Sequence, residues 1–185
     1  MMTAAAARDP RAREMPMAEN LRIGRMYFVL LAIFTIGRFV QGAMGVPYAK
    51  AHHVFTIVVL TILASVFYAA FCRRWQGFTV LRAMGLGATF GLVAQIVIFT
   101  STVVSYLLGA HTFFNNPRAL NVDVPDAVIP LAQAVAIRAP GLVIFPVVNA
   151  VVAALGWALG GMLPDGAPAP VTPVVPASAA PRVVV

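Results

Sequence analysis

Residues 26–46, MYFVLLAIFTIGRFVQGAMGV, decide the fold. As a helix rising about 1.5 Å per residue, this stretch is about 30 Å long, the thickness of a bilayer's hydrocarbon core. Working outward, three more apolar runs of similar length follow at 52–72, 83–108 and 141–163. The last of these contains Pro146, which removes one helical hydrogen bond and should loosen the turn before it. Lipid offers no partner to an open sheet edge, so each run must be a helix. The composition agrees, with 61% hydrophobic and 10% charged residues and a mean hydropathy of +0.88. The expected class is all-α: an integral membrane four-helix bundle forming one domain at 26–163. It lies between a flexible N-terminal segment, 1–25, and a Pro/Ala/Val-rich tail, 164–185, expected to be disordered.

Charge placement suggests an orientation. Arg8, Arg11, Arg13, Arg22 and Arg25 precede the first run, and Arg73, Arg74 and Arg82 separate the second from the third. The other connections hold only Lys50, Arg118 and Arg138. The positive-inside rule then places both termini in the cytoplasm, N-in/C-in, with an uncleaved first helix and a long outer loop at 109–140 between helices 3 and 4. Within that loop 126–138 suits an interfacial helix, and Phe113 and Phe114 suit the headgroup level of a lid over the bundle. Arginine-rich, lysine-poor usage fits a bacterial cytoplasmic (inner) membrane. The net charge of +7 is spent flanking apolar runs, so it implies anionic lipid and no nucleic-acid partner. Cys72 is the single cysteine, which excludes an intrachain disulfide.

Within this frame Arg38 stands out. A guanidinium at bilayer depth costs about 2.5–3.5 kcal/mol on insertion scales, and no apolar run holds a carboxylate to neutralise it. Arg38 lies about 18 Å along its helix from Met26, and Gln95 is equally far from Ala83. Asn149, on a helix running the other way, falls about 12 Å from Gly141, and Thr61 comes within a turn of the same depth. These four residues are expected to form one intramembrane polar layer. Gln95 also belongs to a polar stripe with Gly91, Thr102 and Ser105, spaced to share one helix face and able to offer acceptors to Arg38. The functional reading is that Arg38 awaits an anion: a lipid phosphate, a substrate carboxylate, a haem propionate or an acidic side chain from another subunit. The plainer reading is that it snorkels or is satisfied by neutral groups.

His52, His53 and His111 all fall near the outer ends of their helices and are the candidate haem or metal ligands, near Asp123 and Asp126. Neighbours on a helix diverge by about 100°, so at most one of His52 and His53 should face a given site. Phosphate loops, CxxC pairs, zinc-protease signatures and nucleophile elbows are missing from the sequence, and no enzymatic role is expected. Small residues spaced by four, Gly87 with Gly91 and Gly156 with Gly160, mark close helix contacts. The chain thus reads as a non-enzymatic binding or assembly subunit with no cofactor and no metal site, contacting lipid and a protein partner or further copies of itself. The alternatives are a redox membrane anchor binding haem or quinone, and a small carrier or channel subunit.

Overall fold

A computed structural model describes residues 16–122, 124 and 127–163. Its elements are α1 (Pro16–Ile23), α2 (Arg25–Ala43), α3 (Tyr48–Ala51), α4 (Ile57–Gln76), α5 (Val80–Leu107), a 3₁₀ turn (Pro117–Leu120), α6 (Leu131–Arg138) and α7 (Gly141–Gly160). No strand occurs among the described residues. Four segments are long and apolar enough to cross a bilayer: α2, α4, α5, and α6 with α7, which join through Ala139 and Pro140. The described residues thus form an all-helical fold with four helices compatible with a membrane bundle.

Two departures from the sequence reading stand out. Part of the supposedly flexible segment 1–25 is the helix α1, held to α5 by the Glu19–Arg82 ion pair and by Asn20 Nδ2 donating to Thr89 Oγ1 at 3.0 Å. Residues 1–15, the tail from 164, Asp123 and Asp126 lie outside the described residues. The second long helix begins at Ile57 instead of residue 52. Phe55 adopts a left-handed conformation (φ 54°), and Thr56 Oγ1 turns back to the carbonyls of His52 and His53 at 3.0 and 2.8 Å. These contacts interrupt the helix at 52–56. The connection 109–140 carries the 3₁₀ turn and α6, the latter inside the stretch 126–138 read as a helix.

The bundle's tightest contacts run through α7, which packs against both α4 and α5. Its approach to α4 has no room for side chains: a Cβ on Gly156 would sit 2.5 Å from the Val66 carbonyl oxygen, and one on Gly160 2.5 Å from that of Ala70. On the other side Gly91 faces the Phe145 backbone in the same way. Small residues at four-residue spacing therefore set both crossings. In contrast, α2 is held less closely, chiefly by aromatic side chains. Tyr27 stacks on Phe90 with centroids 4.5 Å apart, and its hydroxyl meets Thr61 Oγ1 at 3.0 Å and the Phe90 carbonyl at 3.3 Å. Glu19, Arg73, Phe78, Arg82 and Trp157 gather at one end of the bundle, through the Glu19–Arg82 pair, the Arg73–Trp157 contact and a bond from Trp157 Nε1 to the Phe78 carbonyl. The α2–α4 and α5–α6 connections gather at the other, called here the distal end.

Candidate functional site: two arginines at the distal end

Arg38, Thr61, Gln95 and Asn149 are all buried, but their hydrogen bonds run to other partners than one another. Thr61 bonds Tyr27 and its own helix at the Ile57 carbonyl, 2.7 Å. Asn149 is fully buried, accepts from Ser65 Oγ at 2.9 Å and donates to the Phe145 carbonyl at 2.9 Å. Gln95 donates to the Arg138 carbonyl at 3.4 Å. Among the described residues no hydrogen bond joins Arg38 to Thr61, Gln95 or Asn149. Similar depth along neighbouring helices does not make contact, because the rotation of each helix about its axis decides what a side chain meets.

The outer half of the α5 stripe builds a platform. Ser105 meets Thr112 Oγ1 at 2.7 Å, and Thr102 donates to the Phe114 carbonyl at 3.4 Å as well as to Ile98. Asn115 accepts from the Thr112 amide at 2.9 Å and donates to the Ala110 carbonyl at 2.8 Å, locking the turn. Gly42 of α2 lies against the backbone of Thr112 and Phe113, where any side chain would collide. This close approach folds Phe113 and Phe114 into the bundle. Both are buried. Phe114 packs on Phe39 of α2, and Phe113 on Tyr48 of α3.

Arg38 enters this aromatic pocket from α2 and is only 9% exposed. Its guanidinium carbon lies 5.6 Å from the Phe113 ring centroid, 5.9 Å from Phe114 and 6.0 Å from Tyr48. Cation–π attraction acts within about 6 Å and is worth about 0.5–2 kcal/mol, so the rings offset part of the cost of burial. They supply no acceptors. Among the described residues nothing accepts a hydrogen bond from the Arg38 guanidinium, a group with five N–H donors.

A second arginine faces the same space. Arg138 ends α6, donates through Nη2 to the Phe114 carbonyl at 3.3 Å, and keeps its Nε buried with no partner. Arg38 and Arg138 line one cavity of about 610 Å³, together with His52, His53 and Thr56. Glu19 is the only acidic residue among those described, and it pairs with Arg82 at the opposite end. The site therefore presents many donors, two fixed positive charges and no described carboxylate. Such an arrangement is suited to an anion.

The histidines depart from the expectation that adjacent imidazoles diverge. The rings of His52 and His53 lie 3.7 Å apart, and both line the cavity, because the pair sits in the turn after α3 and not on a continuous helix. A carbonyl only accepts, so the 3.1 Å contact between His52 Nδ1 and Ala49 O makes Nδ1 the donor and fixes that tautomer. Two rings this close, side by side, cannot ligate one haem iron from opposite faces. His111 lines a different cavity, with Tyr106 and Arg118. The described residues include no cluster of three or more His, Cys, Asp or Glu side chains.

Sequence reasoning missed Tyr27, Ser65 and Arg138 as members of this polar framework. Ser65 was within reach, standing four residues after Thr61 on the same face of α4. Arg138 had no such signal. Its position depends on α6 ending at the cavity. Comparison with protein-family models, with curated proteins and with solved structures gives no match.

Proposed function

We propose that this chain is a non-enzymatic membrane binding protein that holds an anionic group between Arg38 and Arg138. The observation that carries the reading is Arg38: a buried guanidinium without a described acceptor, opening on a cavity it shares with a second, partly unsatisfied arginine. Holding such a group uncompensated costs several kcal/mol, which an anion repays through charge-assisted hydrogen bonds of about 1.5–3 kcal/mol each. The density of arginines at the other end of the bundle supports an orientation with both termini cytoplasmic in a bacterial inner membrane, which turns the site outward.

The test is ligand-dependent stability. Purified protein in a neutral detergent is melted with and without phosphatidylglycerol or inorganic phosphate, alongside Arg38→Gln and Arg138→Gln. A ligand that binds only the folded state stabilises by RT ln(1 + [L]/Kd), so the wild type should gain stability with at least one of these anions and both variants should lose that gain. Without anion, Arg38→Gln should be no less stable than wild type, since it removes a desolvated charge next to another of the same sign. Equal anion responses in wild type and variants would refute the proposal.

A further inference from the structure

We infer that the anion is the headgroup of a lipid that enters sideways from the bilayer, with its chain lying along α4. This rests on the anion reading above and names the class of ligand. The cavity does not end at the arginines. Its wall continues past Thr56 to Val58, Val59 and Leu63, so it runs about 9 Å along the membrane-spanning helix from Ile57. Those three side chains are 42%, 52% and 62% exposed, so they face out of the bundle at a depth where the surroundings are lipid.

The opposite wall is Phe34 on α2, in edge-to-face contact with Phe55 at 5.4 Å. The opening therefore lies in the α2–α4 seam, where packing is far looser than at either α7 crossing. The two parts of the cavity differ in chemistry. Arg38 and Arg138 present donors at its distal part, beside His52 and His53, and the remainder is largely apolar and open to acyl chains. A free inorganic anion would use the first part alone. An anionic amphiphile uses both, and its tail stays among lipid while its head replaces water on the guanidinium groups.

Both guanidinium groups are fork-shaped donors suited to phosphate oxygens. A phosphodiester or phosphomonoester headgroup is therefore the ligand class, and a zwitterionic lipid is disfavoured because its choline would be brought beside two arginines.

The experiment uses the full chain in nanodiscs of phosphatidylcholine containing a minor fraction of phosphatidylglycerol, with retained lipid identified after transfer to neutral detergent. Wild type, Arg38→Gln, Arg138→Gln and Val59→Trp are compared, the last filling the aliphatic part without touching a charge. Inorganic phosphate serves as competitor. The expected result is selective retention of phosphatidylglycerol by wild type and about a tenfold to hundredfold loss in each arginine variant, the range for one charge-assisted hydrogen bond. A comparable loss in Val59→Trp and no displacement by phosphate complete it.

If phosphate binds through the arginines and displaces the lipid, with Val59→Trp inert, the lipid inference falls and the anion reading stands. If neither lipid nor phosphate depends on the arginines, both fall. Asp123→Asn and Asp126→Asn close the remaining route: anion binding that appears only in these variants would mean that the chain's own carboxylates occupy the arginines, and would overturn both.

Discussion

Replacing Gly156 by alanine tests the helix crossing that supports everything else in the bundle. The added Cβ would meet the Val66 carbonyl oxygen at 2.5 Å and the Val66 Cα at 2.7 Å, whereas ordinary contact begins at 3.4 Å. Those are backbone atoms, so no rotamer change relieves the overlap, and α4 and α7 must separate locally by about 1 Å. Overpacking of this kind costs about 1–3 kcal/mol. Alanine regains about 1 kcal/mol over glycine in helix propensity, which leaves a net loss of about 0–2 kcal/mol. Gly85 on α5 is the control, because nothing lies within 4 Å of its would-be Cβ, and Gly85→Ala should keep the propensity gain.

The assay is unfolding in mixed micelles of neutral detergent and dodecyl sulfate, followed by far-ultraviolet circular dichroism. The two variants should differ by about 1–3 kcal/mol with Gly156→Ala the weaker. Adding Gly160→Ala to Gly156→Ala should cost little more, since the helices have already parted one turn away. Equal stabilities for Gly156→Ala and Gly85→Ala would refute the close crossing and the small-residue argument with it.

Two further outcomes follow from the same contacts. In a double-mutant cycle of Ser65→Ala and Asn149→Leu, the coupling measured by the same unfolding assay should be about 0.6–1.7 kcal/mol, the range for interhelical hydrogen bonds in membranes; zero coupling would mean that the 2.9 Å bond does not form. Gly42→Val should push the Thr112–Phe113 backbone off α2 and weaken anion-dependent stabilisation about tenfold while both arginines remain, measured by thermal shift; an unchanged response would detach the aromatic turn from the site.

Much of the architecture was legible because lipid enforces it. Segment length and the absence of charge identify bilayer-spanning helices without help from tertiary structure. Arg38 was also legible, as a charge with no business in an apolar run. What it meets was not. Depth along an axis can be counted from residue numbers, and by that measure Thr61, Gln95 and Asn149 looked like its neighbours. Azimuth depends on packing, and packing gives Thr61 to Tyr27 and Asn149 to Ser65. Of the groups around Arg38, Tyr48 belongs to α3, while Phe113, Phe114 and Arg138 come from the connection between α5 and α7, whose path is set by side-chain bonds from Thr112 and Asn115 and by the gap left at Gly42. The adjacent histidines illustrate the same limit: the 100° rule applies to a helix, and the left-handed Phe55 shows that the helix has stopped.

The placement of the two indoles has a practical consequence. Trp157 donates to the Phe78 carbonyl at 2.6 Å beneath the Arg73 guanidinium, and Trp75 packs on Phe71, so both sit at the end of the bundle away from Arg38 and Arg138. Trp75 is about 27 Å along α4 from Ile57, where the cavity begins. Native tryptophan emission will therefore stay silent when the distal cavity fills, and a quenching or wavelength change seen with an anionic lipid would report headgroups arriving at Arg73 instead. An optical reporter for the cavity has to be built in, and Phe113, whose ring already faces both Arg38 and Tyr48, is the position from which an introduced indole would sense an occupant.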